Sequence, residues 1–504
     1  MEINNQKGGE ALIEEFGDRQ FIVDTLNNYE HKFDVASWQY DGIHIWPIIK
    51  TICFIKWFYK YNKQIKKGAS RMNFGAKVCL LKDSILEWIQ TLLISKKNVA
   101  IFATGGDWQN ALTDNNQSVN RFLHPIFEEE SDDDHVYAQY SDKATYTTSH
   151  VSFLKLLALV RVSRITNRFS ASDFSKSMAD HQEFQQFKIE ISEKSKIDFD
   201  KILTTSLASN MREFFAYHQA YKKLLNKYRP KVCMFSGYDK VQNYALIYEA
   251  NSRNIPTVDV QHGLTGKLHL GYSQFLNIPE GGYNVLPSTF WCWDDDSKKT
   301  VDHWAKDSES VQSFVGGNPW LSYTSNQQLP VQLPTDKKIL LVTLQHNGIP
   351  TVILDAIHNS ASHFFWIVRV HPRFSSIKAD IEEDLKECIE NNNVLVHNAI
   401  DIVLPPLLKR VDVHITQFSS TVLEASYLGV PSVVLDPIGV SSYQHLIDQG
   451  VVLAYLGDDY NILNSSIGAL INTSVAHEYV DVSKGVTRLK QAIFDNSKEL
   501  GSVI

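Results

Sequence analysis

Asp412-Val-His-Ile-Thr-Gln-Phe-Ser-Ser-Thr-Val-Leu-Glu-Ala-Ser-Tyr-Leu-Gly-Val-Pro-Ser-Val-Val-Leu-Asp436 is the stretch whose reading decides the fold. The apolar run from Val411 to Thr416 reads as a buried strand. A hydroxyl-rich turn follows, then a helix over Val422 to Leu428, a Gly-Val-Pro break, and a second buried strand from Ser432 to Leu435. A strand that delivers Ser419, Ser420 and Thr421 to the start of a helix gathers hydroxyls and backbone N–H groups at the positive end of the helix dipole. Such a place suits a phosphate. The same residues also read as an ordinary cap, because Thr421-x-x-Glu424 has capping-box spacing.

The alternation extends outward in both directions. Strands are expected at 338–343, 365–370, 394–396, 411–416, 432–435 and 451–454, with helices at 351–360, 377–391, 401–409, 421–428, 441–449 and 461–472. That order predicts a doubly wound parallel sheet over 337–483. Upstream, Val99 to Ala103 is a short strand ending in Thr104-Gly-Gly-Asp107. A helix is expected over 118–129, a solvated acidic loop over 128–134 and largely helical structure over 150–228. Strand 232–235, helix 241–253 and strand 257–260 have the length of a parallel crossover, and further strands are expected near 290–293 and 313–315. The fold class expected is therefore α/β, with two Rossmann-like domains facing a central cleft. Residues 1–96 form a helical N-terminal extension, 97–320 an N-terminal domain with a helical insertion, and the polar stretch 321–336 a linker. The C-terminal domain spans 337–483, and a helix within 484–504 packs back on the N-terminal domain.

Composition narrows the function. A chain of 504 residues needs more than one core, and 43% hydrophobic with 21% charged residues describes a globular protein. A net charge of −8 argues against a nucleic-acid partner. Five scattered cysteines without CxxC spacing point to reduced thiols, hence a cytoplasmic setting, and to no structural zinc. No run reaches the roughly 18 to 20 apolar residues of a membrane span. The aromatic segment ending in the basic run Lys60 to Lys67 reads as a helix packed on a domain, with peripheral contact at the inner face of a membrane as the alternative. There is no P-loop, HExxH or GxSxG motif.

Ligands of open α/β sheets bind outside the carboxyl ends of the strands. The segments expected there are Thr104–Asp107, Gln261–Gly266, His371–Arg373 and Ser419–Thr421. His371 and Arg373 supply hydrogen-bond donors and a permanent charge, and Pro372 fixes the turn that aims them. With Ser419, Ser420 and Thr421 they would hold a phosphate from two sides. Gln345 and His346 follow strand 338–343 on the same side, and Glu424 could reach a ribose hydroxyl. His262 and Asp107 are rival general bases toward a sugar hydroxyl. Trp291 and Trp293 read as core. The acidic triplets Asp132–Asp134 and Asp294–Asp296 keep a divalent metal as a minor option, but the donors above can neutralise a diphosphate without one.

These residues support a resemblance. Gln261-His-Gly263, Gly317-Asn-Pro319, His371-Pro-Arg373 and the Ser-Ser-Thr…Glu-Ala…Leu-Gly-Val-Pro run from Ser419 to Pro431 resemble GT-B glycosyltransferases of bacterial capsule and lipopolysaccharide assembly. The His-Pro and Ser-Ser motifs are also similar to sialyl- and Kdo-transferases and to teichoic-acid glycerophosphotransferases. The resemblance covers roughly residues 97–475. It implies a GT-B-like fold and transfer of a sugar from a CMP-, UDP- or GDP-linked donor to a glycan or lipid-linked glycan. It places the nucleotide on His371, Arg373, Ser419, Ser420 and Glu424, and the acceptor near Asp107, Arg121 and His262 with Gln261 and Gly263. A CDP-polyol phosphotransferase, a nucleotide-sugar 2-epimerase and a non-catalytic scaffold of a polysaccharide-assembly complex are the alternatives.

Overall fold

The computed structural model describes residues 18–61, 89, 96, 98–103, 108–110, 118–127, 135–139, 152–167, 169–306, 308–345, 348–360, 363–471 and 480–494. In chain order, a hairpin of β1 (Gln39–Tyr40) and β2 (Ile43–His44) is followed by β3 (Val99–Ala103), and a second hairpin pairs β4 (Trp108–Asn110) with β5 (Ser118–Asn120). Next come β6 (His135–Gln139), β7 (Ser152–Lys155), β8 (Val232–Phe235), β9 (Thr257–Val260), β10 (Thr289–Cys292) and β11 (Gln312–Val315). With β3 they form one seven-stranded sheet in the order β11-β10-β9-β8-β3-β6-β7. The C-terminal domain holds β12 (Lys338–Thr343), β13 (Phe364–Val370), β14 (Val394–Asn398), β15 (Val413–Thr416), β16 (Ser432–Val434) and β17 (Val452–Ala454), ordered β14-β13-β12-β15-β16-β17. Every pair in both sheets is parallel.

In each sheet the first strand lies inside, later strands are added on one side, and the chain then crosses to the other. This is the doubly wound order, with switch points between β3 and β8 and between β12 and β15. The expected fold class is the one observed: two Rossmann-like domains in a GT-B-like arrangement, with helices at the N-terminus. Strands buried on both faces have to be apolar throughout. All four residues of β8, β9, β10 and β15 are accordingly buried.

Several local expectations need correction. Residues 118–129 are not one helix: β5 is followed by a turn and a short helix, His124–Phe127. Ser152–Lys155 is an edge strand, not helix. Its four residues are too few to show either periodicity, and pairing with β6 decides between them. The strand β6 was not anticipated. The basic run beyond Tyr61, the acidic loop 128–134 and the turn Thr104–Asp107 lie outside the described residues.

The N-terminal helices Arg19–Lys32 and Trp46–Tyr61 share one core with the first sheet. Ile22, Trp38, Trp46 and Trp57 are buried with Phe102, Phe235 and Phe290. The aromatic helix is therefore packed on the domain. Its Lys50 ammonium is buried on the Glu30 carboxylate at 2.6 Å. At the other end of the chain, the helix Val482–Phe494 lies on the N-terminal domain. A Cβ on Gly485 would sit 2.6 Å from the Cα of Gly316, so only glycine permits this approach. Among the described residues no helix is long and apolar enough to cross a membrane.

Candidate functional site

The helix Thr421–Tyr427 joins the two domains. Val422, Leu423 and Tyr427 pack in one apolar cluster with Trp291 and Trp293 of the N-terminal domain, and the Tyr427 hydroxyl donates to Asp294. This packing follows from a helix with apolar residues on more than one side. It opposes the carboxyl ends of the two sheets and closes the crevice between them.

On the C-terminal side, Gln345 N–H donates to Gln417 Oε1 at 3.3 Å, which links the loops at the β12–β15 switch point. The expected capping box is not formed. Ser420 is the N-cap and its side chain caps nothing, while Ser419 Oγ accepts from the Thr421 amide at 3.2 Å and donates to Thr421 Oγ1 at 3.0 Å. The amides of Val422 and Leu423 close tight bonds onto the Ser419 and Ser420 carbonyls. Among the described residues no backbone carbonyl accepts from the Ser419 or Ser420 amide. Tyr443 Oη donates to the Ser419 carbonyl at 2.7 Å and holds this loop.

Glu424 is not used as a cap because it faces two arginines. Burial raises its pKa, and Arg121 and Arg369 oppose that rise. Arg369, on β13, donates to the carbonyls of Ile402 and Ala399 at 2.6 and 2.7 Å. Burial lowers its pKa to about 10, which leaves it charged at neutral pH. His371 lies two residues on and so points to the same side of the strand. β12 separates β13 from β15, so the His371 and Ser419 strand ends are two strand spacings, about 10 Å, apart. The side chain of Arg373, in the turn Pro372–Ile377, is outside the described set.

On the N-terminal side, Arg121 sits in the turn after β5. Asn120 Oδ1 accepts from the Phe122 and Leu123 amides and shapes that turn. The Arg121 guanidinium lies 4.3 Å from the Phe122 ring centroid and within Coulombic reach of Glu424, Arg369 and His262. It thus connects both halves of the crevice. His262 follows β9. Burial, with Lys240, His269 and Arg121, lowers its pKa to about 3, and only Asp239 opposes this. Its Nδ1 is buried without a partner. Gln261 is committed internally: Oε1 accepts from the Trp293 amide, and Nε2 donates to the Gly263 carbonyl and Ser297 Oγ.

Asp239 and Lys240 follow β8 at the other switch point. Their loop turns at Gly237 (φ +71°), where a Cβ would lie 3.2 Å from His262 Cε1 and 3.0 Å from Lys240 Nζ. Asp259 supports the loop by accepting from Gly237 N–H at 2.8 Å and Tyr272 Oη at 2.6 Å. Burial pushes the Asp259 pKa up to about 7. The N-terminal helix adds Arg19, whose Nε donates to the Leu268 carbonyl at 2.9 Å beside Phe54 and Phe58. Burial lowers the Arg19 pKa, and the larger of the two influences that oppose this comes from Tyr443 of the other domain, with Tyr59 second.

Arg121 thus lies within Coulombic reach of both His262 and Glu424, and Ser419 and Ser420 lead into the helix that carries Glu424. Asp107 is outside the described residues. Sequence reading missed Asp239, Lys240, His269, Arg369 and Arg19. The first two had a usable signal, since they follow a recognised strand, 232–235, and obey the strand-end rule. Arg369 and Arg19 had none: one is inside a strand and the other begins a distant helix. No group of three or more His, Cys, Asp or Glu placed to hold a metal occurs among the described residues.

The buried imidazoles carry a pH prediction. His414 bonds Thr343 Oγ1 and Ser432 Oγ at 2.9 and 3.0 Å, and burial lowers its pKa to about 3. His397 is lowered to about 4 by burial, with Arg369 adding to the effect. Both are neutral in the fold but take up a proton near pH 6.5 when unfolded. The unfolded state therefore binds more protons below that pH, and stability falls as pH drops from about 6.5 toward 4. Each should contribute about 1–2 kcal/mol of loss between pH 7 and 5. Urea midpoints across this range measure it. A flat profile from pH 7 to 5 would count against buried neutral imidazoles.

No known family profile matches the chain, and no curated protein matches it. Among solved structures, the chain is similar to a putative UDP-N-acetylglucosamine 2-epimerase from Listeria monocytogenes, with 12% identity, coverage of 80% of this chain and 98% of that one, and a TM-score of 0.48. The UDP-GlcNAc 2-epimerase of Neisseria meningitidis bound to UDP-GlcNAc gives 13% identity, 79% and 99% coverage and a TM-score of 0.45. A glycosyltransferase from Streptomyces nogalater gives 12% identity, 79% and 95% coverage and a TM-score of 0.35.

Proposed function

We propose that the protein is a glycosyltransferase that moves a sugar from a nucleotide-activated donor to a glycan or lipid-linked glycan of the bacterial surface-polysaccharide kind. One observation carries this reading: Arg121 from the N-terminal domain and Arg369 from the C-terminal domain both lie within Coulombic reach of Glu424, on the helix that follows the β12–β15 switch point. An anionic donor seated there meets cations from both domains, the Ser419 and Ser420 amides, and His371 and Arg373 at the neighbouring strand end. Gln345 lines the same side. Glu424 is the carboxylate assigned in this reading to a ribose hydroxyl.

In the reaction, an acceptor hydroxyl oxygen bonds to the anomeric carbon as the bond from that carbon to phosphate breaks. The leaving nucleotide takes the electron pair, and its charge is met by the arginines. The acceptor proton goes to a base on the N-terminal side, for which Asp239 and His262 are placed and Asp107 is the further candidate. With its pKa lowered to about 3, His262 is a weak base in the empty crevice, and an arriving phosphate anion would raise that pKa. Closure about the 321–336 segment would exclude water and suppress donor hydrolysis.

A thermal shift with CMP, CDP, UDP and GDP tests the reading. One of them at about 100 times its Kd should add about 2.7 kcal/mol of apparent stability. If none shifts the protein, the transferase reading fails. A 2-epimerase is the second reading, favoured by the carboxylates Asp239 and Glu424 contributed from the two sides. Its mark would be solvent deuterium appearing at C2 of the donor sugar without an acceptor.

A further inference from the structure

Beside the arginine-lined crevice lies a second cavity between the domains, of about 370 Å³. Leu423 lines it, whereas the next residue, Glu424, faces the arginines. Successive helical residues point about 100° apart, so the cavity adjoins the crevice on a different face of the same helix. One wall is the loop Leu264–Leu268, held at the Leu268 carbonyl by Arg19. A second is the first turn of the helix Asp295–Ala305, and the third comes from residues 441–448 of the C-terminal domain.

The lining has a definite chemistry. Asp294, Asp296 and Asp448 line the cavity with Lys267 and His445, and Lys299 pairs with Asp296 at 3.0 Å, which leaves the carboxylates in excess. A nucleoside diphosphate or an acidic sugar would meet net repulsion there. Ser297, Thr300, Ser441, Ser442 and Gln444 offer hydroxyl and amide groups around the remaining wall, beside Leu264, Leu268 and Leu423. Asp294 is committed to the Ser297 amide at 2.6 Å and to Tyr427 Oη. Asp296 Oδ1 accepts from Lys299 Nζ at 3.0 Å and Asp448 Oδ1 from Gln444 Nε2 at 2.8 Å. The volume is at the small end of the range for ligand pockets, which suits one or two sugar rings.

We propose that this cavity binds the acceptor saccharide and selects a neutral or amino-bearing sugar over an acidic one. The inference rests on the transferase reading, and it assigns the two ligands to adjacent sites of opposite charge: the anionic donor on the arginines, the polyhydroxyl acceptor on the carboxylates. The shared helix then places Glu424 toward one substrate and Leu423 toward the other.

Saturation-transfer NMR and titration on the full chain test this, with glucosamine, N-acetylglucosamine, galactose and glucuronic acid as probes. The nucleotide that stabilises the protein best is present throughout. Glucosamine or a neutral sugar should bind at least about tenfold more tightly than glucuronic acid. Asp448→Lys should weaken glucosamine by about tenfold or more and narrow that preference. Ser441→Trp, at an exposed position on the rim, should abolish saccharide binding and leave the nucleotide-induced thermal shift intact. Glucuronic acid binding as tightly as glucosamine, or saccharide binding that survives Ser441→Trp, overturns the assignment. So does the absence of saccharide binding in a protein that nucleotides still stabilise, an outcome that leaves the transferase reading standing. Loss of both overturns both.

Discussion

Arg121→Ala is expected to lower turnover of the nucleotide-sugar donor by about 100- to 1000-fold, the size of effect seen when one preorganised donor to a developing anion is removed. Arg121 is the N-terminal-domain cation that reaches Glu424 and Arg369 of the other domain. It can therefore act fully only when the crevice is closed, which makes its contribution larger in the transition state than in the free enzyme. The fold should survive, because the turn is shaped by the Asn120 side chain and not by the guanidinium. Arg121 also opposes the burial that raises the Glu424 pKa. In the variant that pKa rises further, so any acid limb of activity that depends on ionised Glu424 should move to higher pH. Arg121→Lys should recover part of the rate, since a point charge replaces a planar fork. A loss below tenfold, with folding intact, would remove Arg121 from the catalytic machinery.

Glu30→Leu is expected to destabilise the N-terminal domain by about 3–5 kcal/mol, the cost of leaving a buried charge without its partner. Glu30 is fully buried and accepts from Lys50 Nζ at 2.6 Å, Trp46 Nε1 at 2.7 Å and the Leu276 amide at 2.6 Å. It fastens both N-terminal helices to the loop that follows Gln274. Without it, the Lys50 ammonium keeps only the Gln274 carbonyl at 2.7 Å and the face of Phe275 at 4.6 Å. Burial already lowers the Lys50 pKa, and Glu30 is what opposes that. In the variant the folded state favours neutral lysine while the unfolded state keeps its proton. Stability should therefore recover as pH rises from neutrality toward the ordinary lysine pKa. The double variant Glu30→Leu/Lys50→Met removes both charges and should regain most of the loss. Denaturant midpoints measure all three. A single-variant cost under about 1 kcal/mol would show that the pair does not anchor the extension.

The two results concern different links of one chain. The helices held by Glu30 carry Arg19, which fixes the loop at Leu268 and lies next to Tyr443, and Tyr443 in turn holds the Ser419 loop. A loosened extension should thus be felt at the crevice as well as in the melting curve.

What could be read from the residues in order was the alternation. Runs such as Val232–Phe235 and Val413–Thr416 are apolar throughout because parallel strands are covered on both faces, and that demand is written locally. Strand-end motifs followed at once, which is why His262, His371 and Ser419 could be named. Short edge strands such as Ser152–Lys155 could not, because their state is set by a neighbour and not by their own period. The capping alternative for Glu424 failed for the same reason. Its spacing from Thr421 matches a cap, but two arginines more than 50 residues away in sequence offer a buried carboxylate a better electrostatic partner.

The sequence by itself determined the doubly wound C-terminal sheet, the strands β3 and β8 to β11 of the N-terminal sheet and their order along the chain, because period and apolar content are local properties. Only the tertiary structure decided which charges meet. Arg121, Arg369 and Glu424 come from a turn, a strand and a helix in two domains, and partial removal from water is what makes their charges act on one another.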